Sequence, residues 1–141
     1  MSHDALIEFL MGPWTARLAC IRHDGTPHVV PVWYVWEKES FIIAAWPNSV
    51  WASMVKINPT VALSIDEPWP PMRRVMIRGE ASPIPDQDIA GGIQNIRHRI
   101  SARYLGAAQI PADNNLNAQA WSAFRITPQQ CIALQEKPSE G

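Results

Sequence analysis

Charge is scarce in this sequence, and neither sign prevails. Charged residues make up 18% of the chain, with 12 Lys+Arg against 13 Asp+Glu and a formal net charge of -1. The usual share is about 25%. Such a balance argues against a strongly electrostatic nucleic-acid binder. No apolar run approaches the roughly 18 residues that a membrane helix needs. The start, Met1-Ser2-His3-Asp4, lacks the basic residues and apolar stretch of a secretory leader. A cytoplasmic location is therefore expected.

Cysteine is nearly absent. Cys20 and Cys131 lie far apart, form no C-x-x-C and sit near no histidine cluster. Two buried or half-buried thiols are expected rather than a disulfide or a metal site. His23, Asp24 and His28 flank one turn, but a metal site needs three or four converging ligands and no further donor is placed to join them. The catalytic signatures are missing too: no G-x-S-x-G, no P-loop, no G-x-G-x-x-G and no legible Ser-His-Asp order. Hydrolase and classical nucleotide-binding readings have nothing specific to stand on.

What the chain does have is 13 prolines and 7 tryptophans in 141 residues. That length is one domain. So much tryptophan points to a large stacking or contact surface, in the core or between subunits.

The hydrophobic period sets the elements. Leu6, Ile7, Phe9 and Leu10 predict a short helix capped by Asp4 and stopped at Gly12-Pro13. From Trp14 to Cys20 the period is two, a strand, and Asp24-Gly25 marks a hairpin turn. The return strand, Val29 to Trp36, is apolar on both faces, so it is buried or lies in an interface. Left uncovered on a monomer it would expose a large apolar patch, which predicts a homodimer. Pro31 cannot donate a ladder hydrogen bond, so a bulge or open edge is expected there.

Phe41 to Trp46 is a third strand, and Asn48 or Ser49 caps a helix that ends at Asn58-Pro59. A fourth strand runs from Val61 to Asp66 and a fifth from Arg74 to Ala81, joined by the proline-rich loop Glu67–Pro71. Asp86 or Asp88 starts the longest helix, striped by Ile89, Ile93, Ile96, Ile100 and Tyr104, with Gly91-Gly92 inside it as a close-packing feature. Gly106 closes it. Residues 107–120 read as loop with a weak helical turn. Trp121 to Ile126 is a sixth strand, broken by Thr127-Pro128, with pairing resumed near Cys131–Leu134 and a polar tail from Lys137. Six short strands with an inserted helix predict a mainly β protein, a small antiparallel barrel.

Two features carry chemistry. Arg73 and Arg74 follow a run of prolines and are either a phosphate clamp or solvated strand-end charge. The helix beginning at Ser49 offers unpaired N–H groups and a positive dipole end, a generic anion site.

Taken in order, the segments resemble the FMN-binding split β-barrels related to pyridoxamine 5'-phosphate oxidase, including their deazaflavin (F420)-using branch. The resemblance runs through Phe9-Leu10-Met11-Gly12-Pro13, Ala16-Arg17-Leu18-Ala19, and Arg22 to Trp33 with its Asp24-Gly25 turn. It continues in Asn58-Pro59 before Val61–Asp66, in Val75–Ala81, in Arg103-Tyr104-Leu105-Gly106, and in Phe124-Arg125-Ile126-Thr127-Pro128. It implies a homodimer with two cofactor sites at the subunit interface, each taking FMN or F420.

The resemblance also assigns residues. The flavin ring would lie against Val30, Pro31, Val32 and Trp33, and the phosphate near Ser49. Members of the family usually follow that serine with Arg/Lys residues and then Asn-Leu. This chain instead has Val50, Trp51, Ser53 and Met54. Arg73 or Arg74 is then the expected source of the missing charge. Trp51 either stacks on a planar ring or packs as core on Phe41 or Trp46.

The implied activity is a flavin- or deazaflavin-dependent oxidoreductase acting on a small planar substrate, with no protein nucleophile required. The alternative is a non-catalytic protein of the same fold that binds a cofactor, haem or another small ligand. A barrel binding single-stranded nucleic acid on exposed tryptophans ranks last, given the net charge.

Overall fold

The structure, a computed structural model, describes residues 1–106 and 121–135. The reading of residues 107–120 and of the tail from Lys137 lies outside the described residues. Among the described residues there are seven strands: β1 (Ala16–Ile21), β2 (Pro27–Val32), β3 (Val35–Glu37), β4 (Ser40–Ala45), β5 (Thr60–Asp66), β6 (Arg74–Ile84) and β7 (Ser122–Leu134). The helices are α1 (His3–Leu10), α2 (Val50–Ile57) and α3 (Gly92–Leu105). All strand pairs are antiparallel and form one sheet in the order β2-β1-β5-β6-β7-β4-β3.

That order closes the sheet on itself. β2 and β3 are its opposite edges, yet only Trp33 and Tyr34 connect them. The sheet must curl until its edges meet, and they meet unpaired. The result is a barrel with one open seam. Period-two side chains fill its interior: Leu18, Leu63, Ile65, Val75, Ile77, Phe124 and Ile126 are all buried, and along β5 and β6 the alternate residues are exposed or half-buried. α1 and α2 cover the interior with Phe9, Leu10, Met54 and Val55. α3 lies outside, over Val35, Ile42 and Ala123.

The seam corrects the expectation of one continuous strand from Val29 to Trp36. The backbone N–H of Tyr34 donates to the Tyr104 hydroxyl at 3.2 Å. The Tyr34 side chain turns fully inward, and its hydroxyl donates to the Leu10 carbonyl at 2.9 Å. A hydrogen bond to a side chain of α3 thus interrupts the strand. Pro31 does sit on an open edge, because β2 pairs only with β1.

Three more boundaries differ from the sequence reading. Ser2, not Asp4, caps α1, accepting from Ala5 N–H at 3.1 Å. The long helix begins at Gly92, after a separate 3-10 turn at Asp86–Asp88. Gly91 and Gly92 take φ of 79° and 71°, so they form the bend into the helix and are not packed inside it. The Asp86 carboxylate reaches across that bend to cap Ile93 N–H at 2.8 Å. Finally, Thr127-Pro128 does not end the last strand. β7 runs unbroken past it because the β6–β7 register shifts between Arg78 and Gly79, placing Pro128 opposite Gly79. A side chain at 79 has no room: its Cβ would lie 2.3 Å from the Thr127 carbonyl oxygen.

Candidate functional site

The seam also holds a concave, apolar surface. A cavity of about 610 Å³ opens beside β2. Val30, Pro31, Val32 and Trp33 form one wall, and Ala44 and Trp46 at the end of β4 form another. Ser49 and Trp51 contribute from the start of α2, and Arg97, Ile100, Ser101 and Leu105 from α3. Six of the eight residues singled out from the sequence therefore share one site. Such a volume suits a drug-sized organic ligand.

Paired aromatics fix the walls. Trp33 stacks on Tyr104 with ring centroids 4.6 Å apart and planes 4° from parallel. The Tyr104 hydroxyl donates to the Trp14 carbonyl at 2.6 Å, so the ring beneath Trp33 is held at both ends of its hydroxyl. Burial pushes the Tyr104 and Tyr34 phenols above their ordinary values, which keeps both neutral and able to donate. Opposite, Trp46 packs on Trp121 at 4.6 Å, and the Arg97 guanidinium lies 4.0 Å from the centroid of Trp121. Trp51 is only 5% exposed and packs on Phe124, at 5.2 Å between centroids. It lines the cavity while serving as core, and its ring partner is Phe124 and not Phe41 or Trp46.

Arg73 and Arg74 are not on this cavity. β6 is separated from β2 by β1 and β5, and from β4 by β7. Arg73 belongs to a different structure. Its Nε and Nη2 donate to the Glu67 carboxylate at 2.5 and 3.1 Å, and its backbone N–H adds a third bond at 2.9 Å. Glu67 is fully buried, and the Arg73 hydrogen bonds hold its carboxyl below the usual carboxylate range. The pair pins the two ends of the proline-rich loop, with Arg73 5.1 Å over the Phe9 ring. Arg74 is exposed at the start of β6.

The remaining candidates are quickly placed. Asp24 accepts from Thr26 N–H and hydroxyl at 3.0 and 2.5 Å, a turn contact that lowers its pKa. Among the described residues no three His, Cys, Asp or Glu side chains converge as metal ligands. Cys20 is buried against Met54, but Cys131 is exposed, contrary to the reading of two covered thiols. A second hollow lies beneath the start of α3, and its carboxylate, Asp86, is engaged by Ile93. Among the described residues no helix is long and apolar enough to cross a membrane.

A seven-stranded barrel with one open seam, and a cavity walled by its edge strand and a helix N-terminus, is a split β-barrel. The sequence matches the pyridoxamine 5'-phosphate oxidase family over residues 2–134, and the chain belongs to that family. Solved structures agree on the fold. An F420 reductase is 24% identical, with a TM-score of 0.74 over 89% of this chain and 94% of its own. A FAD-binding protein from Mesorhizobium loti is 21% identical, with a TM-score of 0.71 over 97% and 96%. A FAD- and haem-binding protein from Mycobacterium smegmatis is 16% identical, with a TM-score of 0.75 over 97% of this chain and 72% of its own. No curated protein matches the sequence.

Proposed function

We propose that this protein binds a flavin or deazaflavin, FMN or F420, in the seam cavity and uses it as an oxidoreductase on a small planar substrate. The observation that carries this reading is the convergence of the β2 edge, Ser49 and Trp51 on one cavity walled by tryptophan. The donor set fits such a ligand. The Val30–Val32 edge offers backbone groups that no neighbouring strand pairs. Trp33, backed by Tyr104, offers a fixed flat face for a planar ring. Ser49 caps α2 by position, makes no side-chain bond to it and lines the cavity. Arg73 and Arg74, outside the cavity of their own chain, are competing anchors for the phosphate.

When bound, a flavin or deazaflavin supplies the hydride or electron chemistry. The chain's own residues orient the ring, exclude water through the indole walls and leave the open side of the cavity for substrate. No protein nucleophile is needed.

The same surface supports a homodimer. Trp33 and Trp46 line the cavity yet are 39% and 69% exposed, and Val29 and Val50, each next in sequence to a lining residue, are 62% and 58% exposed. An apolar rim of this kind marks an interface. A second chain seated there would complete the cavity wall.

Titration with FMN and with F420, followed by ligand fluorescence and tryptophan quenching, tests the reading together with light scattering. Saturable binding of one of them to a dimer is expected. A monomer that binds neither contradicts it. A dimer that binds but does not pass hydride to any planar acceptor moves the protein to the carrier or sensor class, the reading favoured by the absence of basic side chains after Ser49.

A further inference from the structure

Arg103 and Tyr104, in the last turn of α3, tie that helix to the start of the barrel. Arg103 Nη2 donates to the Leu10 carbonyl at 2.5 Å and to the Gly12 carbonyl, at the end of α1 where the last helix carbonyls have no partner within the helix. Its guanidinium lies 4.5 Å from the centroid of the Tyr34 ring and 5.7 Å from that of Tyr104.

Tyr104 meets the sheet at a particular place. Ala16 pairs with Val32 at the end of the β1–β2 ladder, and the same register carried further would pair Trp14 with Tyr34. The Tyr104 hydroxyl stands in for that pairing. It accepts from Tyr34 N–H at 3.2 Å and donates to the Trp14 carbonyl at 2.6 Å. The polarity of a ladder bond is kept, but two hydrogen bonds in series span more than the roughly 2.9 Å of one, so the strands part here. Directly before Tyr34, Trp33 lays its indole on the Tyr104 ring, nearly parallel to it. Trp33 and Leu105 line the cavity, while Tyr104 itself is not on the lining.

Resting on the flavin reading above, we infer that Tyr104 is a positioning residue for the ring ligand: its hydroxyl wedges the β1–β2 ladder open and its ring fixes the Trp33 indole as the cavity wall. The hydroxyl sets where the chain leaves β2. The ring sets the plane of the indole. A planar ligand packing on Trp33 then meets a surface already ordered in the free protein, so little side-chain freedom is lost on binding.

A double-variant cycle tests this. Tyr104→Phe keeps the ring and drops the hydroxyl, and Tyr104→Leu drops both. Each is made in the wild-type and in the Trp33→Ala background, checked by thermal melt and titrated with FMN and with F420. Tyr104→Leu should weaken binding by at least about fivefold in the wild-type background, the effect of losing one aromatic pair. Tyr104→Phe should lose less. In the Trp33→Ala background both should change affinity by no more than about twofold, because the residue acts through Trp33. Equal losses in the two backgrounds would make Tyr104 a support of the fold alone and overturn the inference, as would unchanged affinity in Tyr104→Leu. If Tyr104→Leu does not fold, Tyr104→Phe carries the same comparison. A second readout needs no ligand: the indole N–H proton signal of Trp33, assigned by its absence in Trp33→Ala. It should stay near its wild-type position in Tyr104→Phe and move in Tyr104→Leu as the ring current is lost. An unmoved signal in Tyr104→Leu overturns the positioning role. If the wild type binds neither ligand, the flavin reading fails, and the positioning of Trp33 stands or falls on this signal.

Discussion

Two arginines lie over aromatic rings on different parts of the same barrel, and their surroundings give them different work. Arg73 sits above Phe9 on the side where β1, β5, β6 and β7 form an unbroken ladder, and it meets a buried carboxylate, Glu67. Arg97 sits above Trp121 beside the seam, on the wall of the cavity. The first arginine satisfies a charge that the fold has already buried. The second is part of the cavity wall. A guanidinium on an aromatic face is common to both. What separates them here is where each lies in the barrel.

Substitutions should sharpen that contrast, and the largest effect is expected at the shared wall between core and cavity. Trp51→Lys replaces a buried indole packed on Phe124 with a charge. It should destabilise the fold by about 4 kcal/mol or more, read as a loss in urea or thermal stability. Tighter FMN binding by a stable Trp51→Lys protein would show instead that position 51 faces only the ligand.

Arg73→Ala comes next. It leaves Glu67 buried without its partner and should cost about 3 kcal/mol. The pH dependence follows from the same pair. Because the Glu67 carboxyl is depressed in the folded state, the pair stabilises fully above its unfolded value of ~4.3 and is lost as pH falls through the lower folded value. Acid unfolding of the wild type should therefore be steeper below that point than in a Glu67→Gln/Arg73→Met variant.

Tyr104→Phe removes the hydroxyl that joins Tyr34 N–H to the Trp14 carbonyl across the seam. About 1–2 kcal/mol should be lost, and Trp33 fluorescence should change as its backing ring loosens.

Much of this architecture was legible in the residues. The Asp24-Gly25 turn, the alternation along β5 and β6, and the helix after Ser49 are local signals, and the fold keeps them. The seam was not legible. What breaks the strand at Tyr34 is the hydroxyl of Tyr104, seventy positions away, and no local pattern records it. Pro128 misled for a similar reason: the glycine that lets the strand continue is on β6. Asp86 suggested a helix start because it does cap α3, but through the side chain and across a glycine bend.

At the site, Val30 to Trp33, Ser49 and Trp51 were reached through family resemblance, and the fold gathers them. Arg97, Ser101 and Leu105, spaced i, i+4 and i+8 on α3, also line the cavity, but which surface that face meets depends on how α3 docks. For Arg73 a signal was present, since Glu67 lies six residues upstream across a loop of prolines.

The most direct measurement is a crystal structure of the protein grown with FMN. The account predicts the ring against Val30–Trp33 and the phosphate near Ser49 at the start of α2. A phosphate bound instead by Arg73 or Arg74, or a seam cavity left empty while FMN occupies another surface, would contradict it.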